Sequence, residues 1–131
     1  MEDILEVYTQ SADPKRPLVC MDEVPKQLLS DIRDPIPAQP GQPERFDYEY
    51  QCQGVANLFM FFKPFRGQRH VNVTNRRTRL DWAEAMRELS DEIHPETEKF
   101  IVVLDNLNTH ALAAFCLALE PDEARRLVKC F

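Results

Sequence analysis

Two apolar runs that each end in an aspartate constrain this chain more than any other feature: LVCMD, ending at Asp22, and IVVLD, ending at Asp105. Runs this short and this apolar read as buried strands. A carboxylate just past the C-terminal end of a buried strand is a common place for a catalytic or metal-binding group in an α/β sheet. A single such aspartate could equally start a turn or cap the next element. Two in the same setting favour a shared polar site. Aspartates with no other nucleophile nearby suit hard divalent cations such as Mg²⁺. Two ions about 3.5–4 Å apart would clamp the attacking and leaving oxygens of a phosphodiester displacement. On this reading Asp22 and Asp105 hold metal and neither attacks. Glu23 adjoins Asp22, but neighbours on a strand point to opposite faces, so it is expected as a supporting or surface group.

Between and around these runs the pattern is that of one mixed α/β layer. Met1 to Gln10 has Ile4, Leu5 and Tyr8 at helical spacing, and the stretch 35–43 is a proline-rich connector. GVANLFMFFKP is the strongest strand signal, and Pro64 ends it. Gly67 marks a turn into RHVNVT, which alternates Arg69, Val71 and Val73 against His70, Asn72 and Thr74, so the pair reads as a β-hairpin. Thr78 and Asp81 have the form of a capping box. Trp82, Met86, Leu89 and Ile93 then mark one face of a helix that Pro95 stops. After the second aspartate run, Asn108 or Thr109 can cap a helix carrying Leu112, Phe115 and Leu119. Pro121 opens a last helix with Asp122 and Glu123 in its first turn. Apolar strands alternating with helices, together with the hairpin, give an α/β fold with a mixed sheet.

With 131 residues, 44% hydrophobic and 29% charged, the chain is one domain's worth of globular protein. No apolar run is long enough for a membrane span, and the acidic N-terminus is not signal-like. Four scattered cysteines with no C-x-x-C pair argue against a structural zinc site and fit a reducing cytoplasm. Cys20 and Cys116 are expected as buried thiols. The net charge of −6 excludes nonspecific nucleic-acid binding by the whole surface. The charge is uneven, however: Lys63, Arg66, Arg69, Arg76, Arg77 and Arg79 form a stretch with no acid, and 81–98 is strongly acidic.

PLVCMDE, PGQPERFDYEYQCQGVANLFMFF and IVVLDNLNTH together resemble bacterial insertion-sequence transposases of the mariner-related group, within the DDE superfamily of retroviral-integrase-like enzymes. The resemblance runs from about Arg16 to the C-terminus. It implies a ribonuclease-H-like mixed sheet flanked by helices, and cutting and joining of DNA at transposon ends with Mg²⁺ or Mn²⁺ in a two-metal site. By this match Asp22 is the first acid of the catalytic triad and Asp105 the second. The third acid of the family lies on a later helix, and the chain as given ends at Phe131 before it. Glu120, Asp122 and Glu123 come too early to match it. Family members also begin with a helix-turn-helix region, for which there is no room here.

The expectation is therefore a piece truncated at both ends: an N-terminal helix and linker over 1–15 and a partial catalytic core over 16–131. The alternative is a non-catalytic relic or a dimerisation and binding module of the same ancestry. Loss of the last helix would leave apolar sheet exposed, so self-association is expected. The stretch Lys63 to Arg79 would line the DNA backbone or be a solvated hairpin tip. His110 either orients a water or phosphate or is a capping or packing histidine. Asn106 and Asn108 are turn and cap residues or substrate contacts. Trp82, Phe59, Phe61 and Phe62 are expected in the core. Arg45 and Tyr48 lie in the part of the resemblance for which the residues alone suggest no role.

Overall fold

The computed structural model describes residues 2–105 and 110–131. In chain order it contains helix α1 (Glu2–Thr9), strands β1 (Leu18–Asp31), β2 (Tyr50–Lys63) and β3 (Gln68–Thr74), and helix α2 (Arg79–Glu88), which widens into a π-helical turn (Leu89–Ile93). Strand β4 (Ile101–Val103) and helices α3 (Ala113–Ala118) and α4 (Pro121–Cys130) follow. The four strands form one mixed sheet in the order β3-β2-β1-β4. β1–β2 and β2–β3 are antiparallel, and β1–β4 is parallel.

Side-chain alternation decides which face is covered. Val19, Met21 and Glu23 on β1 share a face with Phe59 and Phe61 on β2, and all five are buried. Trp82, Met86 and Leu89 from α2 and its π turn close over this face, joined by Phe115 from α3 and Leu127 from α4. Phe115 stacks on Trp82 at 5.4 Å and on Phe131 at 5.8 Å, and Phe131 stacks on Phe100 at 5.1 Å. The Phe100 amide donates to the Cys130 carbonyl at 2.7 Å, which ties the entry of β4 to the end of α4.

The capping box forms as the sequence requires. The Thr78 hydroxyl accepts from the Asp81 amide, and the Asp81 carboxylate accepts from the Thr78 amide. Gly67 takes φ +62 in the turn between β2 and β3, a left-handed conformation that glycine adopts at no steric cost.

Several expectations are corrected. β1 is not a short strand emptied at Asp22; it runs on to Asp31, because every residue from Cys20 except Leu28 finds a partner on β2, with a bulge at that point. β4 pairs only with Leu18 to Cys20, so among the described residues one edge of β1 beyond Met21 has no paired strand. Pro25, which lacks an amide donor, is tolerated on such an edge. Past Glu23 the two strands project as a largely exposed ribbon, linked by a proline-rich loop that the Ile36–Arg45 and Gln39–Gln42 bridges order.

On the second face, Met60 is 42% exposed, Phe62 38%, Val71 44% and Val73 61%. Phe62 is thus not a core residue, because it lies one position out of phase with Phe59 and Phe61. Helix α1 reaches this face where the Tyr8 hydroxyl meets the Cys20 thiol at 3.1 Å. Cys20 is half-buried and Cys116 is exposed, the latter because it lies on the solvent side of α3, away from Phe115. Among the described residues no helix is long and apolar enough to cross a membrane.

Candidate active site

The β1–β4 pairing places Cys20 beside Val103. The pairing ends there, with Asp22 two residues further along β1 and Asp105 two residues past the end of β4. Asp22 is exposed, pairs across β2 with Met60, and its Oδ1 accepts the Glu23 amide at 2.8 Å. The Asp105 side chain is 51% exposed.

Glu23 lies on the other face, as adjacent strand residues must, but it is no surface group: its side chain is 2% exposed. Its Oε2 lies 3.3 Å from His110 Nε2. The Nδ1 of the same ring lies 2.8 Å from Asp105 Oδ1, and the His110 side chain is fully buried. The imidazole stacks on Trp82 at 5.6 Å. His110 therefore bridges a buried glutamate to one of the two aspartates, and an aromatic shelf fixes the plane of its ring. Glu23 Oε1 lies 3.3 Å from Arg77 Nε, but that N–H is not aimed at it, so the oxygen has no hydrogen bond among the described residues.

Two of these partnerships escaped the sequence. The burial of Glu23 was legible in the period-2 alternation Val19, Met21, Glu23, which puts it on the inward face. Its pairing with Arg77 had no signal, since Arg77 lies in an irregular segment between β3 and α2.

The basic stretch is not one patch. Lys63, Arg66 and Arg69 flank the β2–β3 turn, whereas Arg76, Arg77 and Arg79 follow the far end of β3. With about 3.4 Å per residue, that strand separates the two groups by roughly 20 Å. Arg77 is taken up by Glu23, while the others named have no carboxylate partner among the described residues. Asn106 and Asn108 lie outside the described residues. Arg45 and Tyr48 are exposed.

As a ligand set, the two aspartates offer the oxygen donors that hard divalent cations take. Among the described residues, however, no group of three His, Cys, Asp or Glu side chains converges as a metal site would require.

A four-stranded mixed sheet with helices against it is the arrangement of a ribonuclease-H-like fold. Residues 17–128 match the family model described as DDE superfamily endonuclease. The chain belongs to that family, whose members generally use divalent metals. No curated protein and no solved structure matches the chain.

Proposed function

We propose that this chain is a catalytic-core fragment of a mariner-related insertion-sequence transposase, a class that cleaves and joins DNA strands at transposon ends with Mg²⁺ or Mn²⁺, and that it is inactive on its own. Asp22 and Asp105 are the metal-holding acids in this reading. The observation that carries it is the match of residues 17–128 to the DDE endonuclease family, and the parallel pairing of β1 with β4 just ahead of the two aspartates supports it. Bound metal would supply charge neutralisation at the reacting phosphate. The protein's own part is positional. His110 holds the Asp105 carboxylate, Trp82 and Glu23 hold His110, and Arg66, Arg69, Arg76 and Arg79 are free to meet DNA phosphates. Asn106 and Asn108 are proposed as supporting groups beside Asp105, and the catalytic unit is placed at residues 16–131.

The test is calorimetric titration of Mg²⁺ and Mn²⁺ into the chain and into an Asp22→Asn, Asp105→Asn double variant, beside a strand-cleavage assay. Binding that the double variant loses supports the reading; identical traces refute it. A second reading, a non-catalytic binding or assembly module, is favoured by the lack of a three-donor cluster among the described residues. It predicts DNA binding or self-association without metal binding. The open face with Met60, Phe62, Val71 and Val73 is the surface through which we propose self-association, and sedimentation equilibrium tests it: a monomer across the micromolar range refutes that part.

A further inference from the structure

The end of the β2–β3 hairpin and the π turn after α2 enclose a cavity of about 370 Å³. Its floor is apolar, from Val19, Phe61, Leu89 and Ile93. Its polar lining is Lys63, Gln68, Arg69, His70 and His94, with no carboxylate among the lining residues. The volume falls within the range of small-ligand sites, and an apolar body with a few converging polar groups is their usual make-up.

The cationic groups here are held together without an anion to justify it. Lys63 is half-buried, and its Nζ lies 3.3 Å from His94 Nε2. Burial and the neighbouring Arg66 guanidinium hold the Lys63 ammonium below the usual lysine range. Burial, Lys63 and His70 likewise push the His94 imidazole down. A neutral His94 accepts one ammonium proton and leaves the other Lys63 donors free. Among the described residues Lys63, Arg66, Arg69 and His94 have no carboxylate partner, and of the nearby cations only His70 is paired, with Glu88. A half-buried ammonium under the influence of the Arg66 guanidinium is unfavourable unless an opposite charge joins them.

The backbone is built to hold this arrangement. The π turn ends with the His94 amide donating to the Leu89 carbonyl at 3.1 Å, and His94 leaves the helix with φ −138 and ψ 60. π turns of this kind recur at functional sites. A second cavity, of about 650 Å³, shares Lys63 and His94 and is also lined by Arg16, Arg66, Asp13 and Glu96. Lys63 and His94 thus line both cavities.

We infer that Lys63, Gln68 and His94 form a binding site for a phosphoryl group, distinct from the Asp22–Asp105 pair. A phosphoryl group has enough acceptor oxygens to take donors from ammonium, side-chain amide and imidazole at once, which a carboxylate's two oxygens match less well. The site lies on the covered face with Phe59 and Phe61, three register positions past the Asp22 partner Met60, and Asp22 points to the opposite face. Two sources share this chemistry: a free phosphoryl compound such as a nucleotide, and a backbone phosphate of DNA. Only the DNA source rests on the strand-cleaving reading; the phosphoryl site itself does not.

The experiment titrates inorganic phosphate, a nucleoside monophosphate and a short DNA duplex into the full chain, with Lys63→Ala, Lys63→Arg and Asp22→Asn variants alongside. Saturable phosphate binding that Lys63→Ala weakens at least about tenfold and Lys63→Arg largely keeps is the expected result, since one charge-assisted hydrogen bond is of that size. Asp22→Asn leaves it unchanged, so failure of the metal site does not mimic failure here. The source is a free compound if Lys63→Ala spares duplex binding. It is the DNA backbone if that variant weakens duplex binding and lowers its salt slope by about one. Because Lys63 is held among like charges, Lys63→Ala also leaves the urea midpoint of the free chain unchanged or raised. No saturable binding of phosphate, nucleotide or duplex overturns the inference, as does equal binding by the Lys63→Ala variant.

Discussion

Replacing either end of the Glu23–His110 pair should have very unequal consequences. Both side chains are essentially sealed from solvent, at 2% and 0% exposure, and the contact between them is 3.3 Å. Removing one partner of a buried, hydrogen-bonded charged group leaves the other desolvated and unpaired, which costs about 3–5 kcal/mol. His110→Ala does this to Glu23 Oε2, leaving the carboxylate only the ion-pair contact of Arg77 Nε at 3.3 Å, which makes no hydrogen bond, and it also empties the space against Trp82. Glu23→Gln does the opposite: it keeps the shape and an acceptor for His110 while removing a buried carboxylate whose desolvation was poorly offset. Its cost should stay below about 1 kcal/mol. With a urea slope of about 2 kcal/mol/M, the His110→Ala midpoint falls by about 1.5–2.5 M and the Glu23→Gln midpoint moves by less than about 0.5 M. His110→Gln, which retains a donor, should fall between them and remains measurable if His110→Ala does not fold. The double variant Glu23→Gln, His110→Ala should recover part of the loss, with a coupling of about 1–3 kcal/mol. Equal destabilisation by Glu23→Gln and His110→Ala would refute the reasoning, because it would mean that the carboxylate charge itself holds the site together.

Three further outcomes follow from local geometry. Thr78→Ala removes the capping hydroxyl of α2 and should cost about 1 kcal/mol in urea unfolding. Asp91 is held below the ordinary aspartate value of 3.8, first by the Arg126 fork at 2.8 and 2.7 Å, so the pair stabilises the fold fully above about pH 4 and progressively less as the pH falls through the depressed folded value. Since Arg126 is 47% exposed, Asp91→Asn should cost no more than about 1 kcal/mol at pH 7, and the difference should vanish in strong acid when unfolding is followed against pH. Gly67→Ala must place a Cβ at φ +62 and should cost about 1 kcal/mol although no atom lies in its way, which thermal unfolding would register.

Elements specified by local chemistry were legible in the sequence. Thr78 and Asp81 mark the start of α2, Gly67 marks the hairpin turn, Pro121 with its following acids opens α4, and the Trp82, Met86, Leu89 spacing names the buried face. Elements specified by partners were not. The residues from Val24 to Asp31 contain a proline and no regular alternation, yet they are strand because β2 lies beside them. The π turn had no signal either, since its residues read as ordinary helix. The basic stretch illustrates the same limit: charge adjacent in sequence was divided by a strand between its two halves.

The candidate site depends on a consequence of strand geometry that cuts both ways. Because Asp22 and Glu23 are neighbours, one must face the open side and the other the core. The open position suits a carboxylate that is to meet an ion or a phosphate. The buried one would be a liability alone, and it is relieved by His110, which approaches from the chain that follows β4, and by the Arg77 guanidinium. That ring is also the 2.8 Å partner of Asp105. The core side of the sheet therefore holds Asp105 through one imidazole, while Asp22 is placed by its position on β1 opposite Met60. Orientation of Asp105 is thus inherited from buried packing on Trp82, so substitutions beneath the sheet would disturb it more than substitutions on the exposed face.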